Sequence, residues 1–87
     1  MKEKIRSTIN DIIVILQDNN ERCWVNIFEK CLILLDDDYE QCLYNLKTLY
    51  GGMGSFNDLV LHKEGMPVKN ENNKLDLLRY ELYALLK

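Results

Sequence analysis

Proline occurs once in these 87 residues and glycine only four times, three of them within residues 51–54. A chain so poor in turn-formers lacks the frequent reversals of a small all-β domain, so long uninterrupted helices are expected. Histidine is also single, at position 62, and Cys23, Cys31 and Cys42 show no Cys-x-x-Cys spacing. An odd number of thiols in apolar helical contexts reads as small buried hydrophobes rather than a disulfide framework. No leader-like segment opens the chain, so reduced thiols in the cytoplasm are the expectation. No apolar run approaches the roughly 20 residues that span a bilayer. The longest, residues 12–16 and 31–35, suit buried helix faces.

Basic clusters are missing too. Eleven Lys and Arg stand against fourteen Asp and Glu, for a formal net charge of −3, and neighbours such as Lys2-Glu3-Lys4 and Glu29-Lys30 mix the signs. Nucleic-acid binders gather their cations to replace phosphate counterions, so direct DNA or RNA binding is not expected. A partner with a basic surface would be attracted instead. At 47% hydrophobic and 29% charged, the composition is that of a folded domain, and the length fits one unit spanning residues 1–87.

Helical periodicity organises the remainder. Ile5, Ile9, Ile12, Ile13 and Leu16 form a one-sided apolar stripe over Lys2–Asp18. Asp18-Asn19-Asn20 breaks the pattern, and Asn19 or Asn20 is expected to cap the next helix. That helix, residues 21–35, gathers Trp24, Ile27, Phe28, Cys31, Leu32 and Leu35 on one face, widened by Val25 and Leu34, which places it centrally. Carboxylates oppose the dipole at a helix C-terminus and favour it at an N-terminus. Asp36-Asp37-Asp38 is therefore assigned to the start of a third helix, residues 38–50, with Cys42, Leu43, Leu46, Leu49 and Tyr50 inward.

Gly51-Gly52 should stop that helix, because glycine accepts the left-handed conformation common at helix ends. Ser55 is placed to cap a short helical turn, with Asp58 three residues on. Leu59-Val60-Leu61 is expected to be buried, and the polar residues 62–73 to form a surface loop. A last helix, starting at Asn72 or Asn73, would bury Leu75, Leu78, Leu82, Leu85 and Leu86. The expected fold is all-α: a compact bundle of about four helices, with a glycine-rich turn and a short helical piece between the third and fourth.

Chemistry-bearing sets are sparse. Closely spaced glycines before a helix could cradle an anion, but the Walker lysine is absent, no strand precedes them, and the spacing departs from GxGxxG. Asp36, Asp37, Asp38 and Glu40 lack the spacing and glycine of a calcium loop. They read as a solvated cap or a docking patch for a basic partner. His62 has no nucleophile or orienting partner that the sequence fixes. Asn57 and Asp58, beside an apolar run, suggest a buried hydrogen-bonded pair. No enzyme, cofactor or metal is therefore expected.

From Leu49 to Leu61 the sequence runs LYGGMGSFNDLVL. This stretch resembles a family of small, uncharacterised bacterial proteins with a GGMGS-x-NDL core and an Asn-x-x-Leu-x-x-Leu helix ending in Leu-Tyr-x-Leu. Asn72 or Asn73, Leu75, Leu78 and Leu82-Tyr83-Ala84-Leu85 match that ending, and Trp24 matches an upstream tryptophan, so the likeness covers residues 24–86. Such families often lie beside polymorphic or contact-dependent toxins. The resemblance thus implies an immunity-type binding protein that neutralises a bacterial toxin, possible targets including nucleases, by occluding it. Its structural motif is Gly51, Gly52, Gly54, Ser55, Asn57 and Asp58, and its candidate partner contacts are Asp36, Asp37, Asp38 and Glu40. The alternative is a small interaction module, homodimeric or not, that docks another protein through residues 51–61.

Overall fold

The computed structural model describes residues 2–51 and 55–86. Gly52, Met53 and Gly54 lie outside the described residues, and so do the expectations placed on them. Four helices carry the fold: α1 (Lys2–Asp18), α2 (Arg22–Asp37), α3 (Tyr39–Thr48) and α4 (Lys69–Leu85). A 3₁₀ turn at Phe56–Asp58 and a hairpin, β1 (His62–Lys63) with β2 (Met66–Pro67), join α3 to α4. The principal helix pairings are α4 with α1, α1 with α2, and α2 with α3. The chain is thus an all-α bundle in which α1 and α2 are the inner helices.

The apolar stripe of α1 is buried as its spacing predicts, and Thr8 and Ile15 join it because two neighbours cover this helix. Asn19 and Asn20 close α1 instead of capping α2. Asn20 takes a left-handed φ of 60°, Glu21 N–H donates to the Leu16 carbonyl at 3.0 Å, and Asn20 N–H donates to that of Gln17 at 3.2 Å. This paired pattern satisfies carbonyls a helix end leaves open. The Asn19 side chain adds a donation to Ile15 O at 2.8 Å. Glu21, at the N-cap of α2, makes no side-chain cap bond.

Helix α2 runs to Asp37, two residues beyond expectation, so Asp36 and Asp37 occupy its last turn. The helix dipole favours them at the start of α3, but a cation on the neighbouring helix outweighs it. Arg6 of α1 grips Asp36 through Nη2 at 2.6 Å and Nη1 at 3.2 Å, and Lys2 stands 3.5 Å away. Asp38 alone caps α3, accepting from Gln41 N–H at 3.2 Å. Cys42 and Leu46 of α3 are buried, with Leu43, Leu49 and Tyr50 packed half-buried against the core.

Helix α3 ends before the glycines. Leu49, Tyr50 and Gly51 donate three residues back, to Leu46, Lys47 and Thr48. Gly51 does not adopt the left-handed conformation expected of it; among the described glycines only Gly65 has a positive φ. Leu59 is half-buried and Leu61 buried, while Val60 points outward at 46% exposure, as alternation in an extended segment requires. The expected loop over 62–73 is instead a hairpin followed by the first turn of α4. Glu64 and Gly65 both have positive φ, 54° and 79°, which matches the twist a two-residue hairpin favours.

Candidate functional site: an arginine-anchored turn and an acidic corner

Helix α4 presents Leu75, Arg79 and Leu82 to the interior. Arginine at a core position requires partners for its donors. Here Nη1 donates to the carbonyls of Phe56 at 2.6 Å and Leu59 at 2.9 Å, and Nη2 pairs with Asp76 one turn earlier. Both carbonyls flank the 3₁₀ turn, so a single side chain clamps the segment after the glycines onto α4. The Arg79 carbonyl in turn accepts from the Tyr50 hydroxyl at 2.8 Å, which fixes the segment before the glycines.

Phe56 is the apolar half of this clamp. It is fully buried, with ring centroids 4.8 Å from Phe28, 5.4 Å from Trp24 and 5.8 Å from Tyr50. Its N–H donates to Leu49 O at 2.8 Å. A second polar clamp follows at Leu61, where the Asn72 side chain accepts from Leu61 N–H at 2.7 Å and donates to Leu61 O at 3.0 Å. The amide thereby stands in for a missing strand. Arg79 is not among the site residues expected from sequence, where Asn72 figures as a helix start and as a match to the family ending. The available signal was Arg79 at positions i+4 from Leu75 and i−3 from Leu82, on the apolar stripe itself.

A cleft of about 240 Å³ lies beside the clamp, lined by Tyr50, Asn57, Asp76, Arg79, Tyr80 and Tyr83. Its guanidinium is committed to the carbonyls and carboxylate just named. Burial pushes the Tyr50 phenol well above its ordinary range, although the Arg79 charge opposes the shift. The recess therefore offers aromatic walls and a protonated phenol. Asn57 lines it and donates to Tyr50 O at 3.2 Å. Asn57 and Asp58 are both exposed, so they are not the buried pair expected. Ser55 precedes the turn as expected but its hydroxyl makes no cap bond, and its Oγ is buried without a hydrogen-bond partner among the described residues. His62 is exposed on β1, its Nδ1 2.9 Å from Val60 O and outside the cleft.

The four acidic candidates meet where α2 turns into α3. Asp36, Asp37, Asp38 and Glu40 are all exposed. Asp36 is bound to Arg6, whose guanidinium holds the carboxyl below the usual range, with Lys2 adding to the effect. Asp38 spends one oxygen on the α3 cap. Asp37 and Glu40 complete the corner. Tyr44, 65% exposed, lies one turn beyond Glu40 on α3, and Ile33, 64% exposed, one turn before Asp37 on α2. Among the described residues, no three His, Cys, Asp or Glu side chains converge as a metal site would require. No helix among them is long and apolar enough to cross a membrane.

A family model described as "Domain of unknown function (DUF6966)" matches residues 17–69, more than half of the chain. The chain belongs to that family. The DUF6966 match runs from the last turn of α1 through α2, α3, the 3₁₀ turn and the hairpin, and stops at the first residue of α4. Arg79 and Asn72, the two residues that clamp the matched turn, therefore lie beyond it. No curated protein and no solved structure matches the chain.

Proposed function

We propose that this DUF6966 protein is an immunity-type binding protein that neutralises a bacterial toxin bearing a basic surface, for instance a nuclease, by occluding it. The observation that carries the reading is the acidic corner. Asp37 and Glu40 are exposed there beside the outward Tyr44 and Ile33. Carboxylates steer a cationic partner and select against anionic ones, while an aromatic and an aliphatic side chain supply the desolvated contact that holds it. A nuclease must display Lys and Arg to grip phosphates, so the surface it needs for its substrate is the one this corner attracts. Asp36, already paired with Arg6, adds to the field without being the first contact. The net charge of −3 acts in the same direction.

The alternative module, docking through residues 51–61, would be favoured by an apolar surface patch around Met53 and Phe56. Phe56 is fully buried and unavailable for that contact, while Met53, the other side chain of the expected patch, lies outside the described residues. The test is co-expression with the product of the neighbouring reading frame. Growth arrest by that product alone, relieved by this protein and not by a folded Asp37→Lys/Glu40→Lys variant, is the expected result. A product harmless by itself, or equally lethal in this protein's presence, would overturn the proposal.

A further inference from the structure

Helices α1 and α4 leave a groove of about 480 Å³ between them. Val14, Ile15, Leu77 and Leu78 line it, and two of these stand unusually far into solvent: Val14 is 56% exposed and Leu77 65%. Asp11 and Asp18 rim it on α1, Glu71 and Glu81 on α4, with Lys74 the one cation in the lining. Among the described residues the ion pairs use other groups, so the rim carries four carboxylates against the single ammonium of Lys74. On α1 the order is acid, apolar pair, acid at i, i+3, i+4 and i+7, which share one face; on α4 Lys74 stands between Glu71 and the apolar pair Leu77-Leu78, and Glu81 closes the row.

The spacing sets the size of an occupant. Residues 11 to 18 rise about 10 Å along α1 and residues 71 to 81 about 15 Å along α4, which is two to three turns of a helix lying in the groove. Its charge is set by the rim. A second copy docked groove to groove would oppose carboxylates to carboxylates, which costs association free energy. An occupant with an apolar stripe flanked by Lys or Arg meets both features.

We infer that the α1–α4 groove docks a short basic amphipathic helix of a protein partner. Its apolar stripe lies on Val14 and Leu77, and its cations reach Asp11, Asp18, Glu71 and Glu81. This rests on the reading of the chain as a binding protein for a basic partner, but places the contact on different helices from the acidic corner. It is helix-in-groove recognition, with anchors at i, i+3, i+4 and i+7.

The probe is a fluorescein-labelled synthetic helix of roughly 14 residues, with leucine at those anchor positions and lysine on the flanks. A control peptide carries glutamate in place of lysine. Saturable binding followed by anisotropy is expected for the lysine peptide, weakening as salt is raised. Leu77→Asp should weaken it by about tenfold or more, since one buried leucine is worth that factor. Glu71→Lys/Glu81→Lys should weaken it comparably, and Asp37→Lys/Glu40→Lys should not. Leu77, Glu81, Asp37 and Glu40 are exposed and Glu71 is half-buried, and thermal melts verify that each variant folds. Equal binding by the groove variants, or equal binding of the glutamate peptide, overturns the inference. So does a dimer in sedimentation that Leu77→Asp dissociates, which would make the occupant a second copy. Peptide binding as described without toxin neutralisation removes the immunity reading alone. Neutralisation that survives every groove variant, with no peptide bound, removes the groove alone.

Discussion

Arg79 and Phe56 hold each other in two ways: Nη1 donates to the Phe56 carbonyl at 2.6 Å, and the guanidinium carbon lies 5.5 Å from the centroid of the Phe56 ring. The same nitrogen also serves Leu59 O, so one side chain closes both ends of the 3₁₀ turn. Replacing Arg79 by methionine keeps most of the volume but takes the donor from the Leu59 carbonyl and leaves the Phe56 carbonyl only the long bond from Leu59 N–H at 3.3 Å. An orphaned group costs about 1–3 kcal/mol. Arg79→Met should therefore lower unfolding free energy by about 2 kcal/mol in urea titrations, a large share of what a chain this size possesses. Arg79→Lys should recover part of the loss, because an ammonium can reach one carbonyl but lacks the planar fork. Unchanged stability in Arg79→Met would show the clamp to be ornamental.

Asn72 provides a second and chemically distinct test. Its amide makes both an acceptor and a donor bond to the backbone of Leu61. Asn72→Ala removes both and should cost about 1–3 kcal/mol. Asn72→Asp keeps the acceptor but turns an oxygen toward the Leu61 carbonyl. A protonated carboxyl can donate there and an ionised one cannot. The folded state of that variant thus favours the proton. Relative to wild type, it should lose stability as pH rises through the carboxylate range and regain part of it below about pH 4. A loss that is flat with pH would contradict the bond assignment.

How legible the fold was depends on which force set each element. The faces of α1 and α2 are set by apolar burial, and periodicity reports burial directly, so Ile5 through Leu16 and Phe28 through Leu35 were readable. Asp38 as a cap was readable because capping is local. The longer α2 was not: Asp36 is retained there by Arg6, thirty residues away, and no local rule contains that partner. The early start of α4 escaped because Lys69, Asn70 and Glu71 show no apolar period and Val68 supplies no side-chain cap. The hairpin escaped because Glu64-Gly65 is a weaker turn signal than Asn-Gly. Within the candidate site, the short turn after Ser55 and the acidic corner could be nominated from sequence. The clamp by Arg79 could not, since a buried arginine is defined by what it meets across the fold.

The Arg6–Asp36 pair predicts a pH effect of definite sign. Arg6 holds the Asp36 carboxyl below its ordinary range, with Lys2 assisting. A depressed folded-state value means a stabilising contribution present above the unfolded value, near 4, and lost as pH falls through the folded one. An NMR titration of the Asp36 side-chain carboxyl should give a midpoint below the ordinary aspartate value, moving up in Arg6→Gln. Because the pair is solvent-exposed, added salt should move it the same way. A midpoint indifferent to Arg6 would mean the pair does not persist in solution.

Thiol reactivity separates the three cysteines. Cys23 is exposed, whereas Cys31 and Cys42 are buried. Burial pushes the Cys31 thiol up to about 11, with the neighbouring Cys42 adding to it, and burial raises Cys42 as well. The Cys42 thiol also donates to Cys31 O at 3.2 Å. Since the thiolate is the nucleophile, a disulfide reagent at pH 8 should modify Cys23 rapidly and the other two only as fast as the bundle opens. Cys23→Ser should abolish the fast phase, and a denaturant should merge all three. The same shifts have a stability consequence. Folded thiols that hold their protons more tightly stabilise the bundle fully below the unfolded value of about 8.5, and that contribution is lost as pH rises toward 11. Cys31→Ala/Cys42→Ala should flatten the alkaline limb of the stability curve even though it lowers stability at pH 7. An alkaline limb identical to wild type would place the thiols in a wetter environment than the core described here.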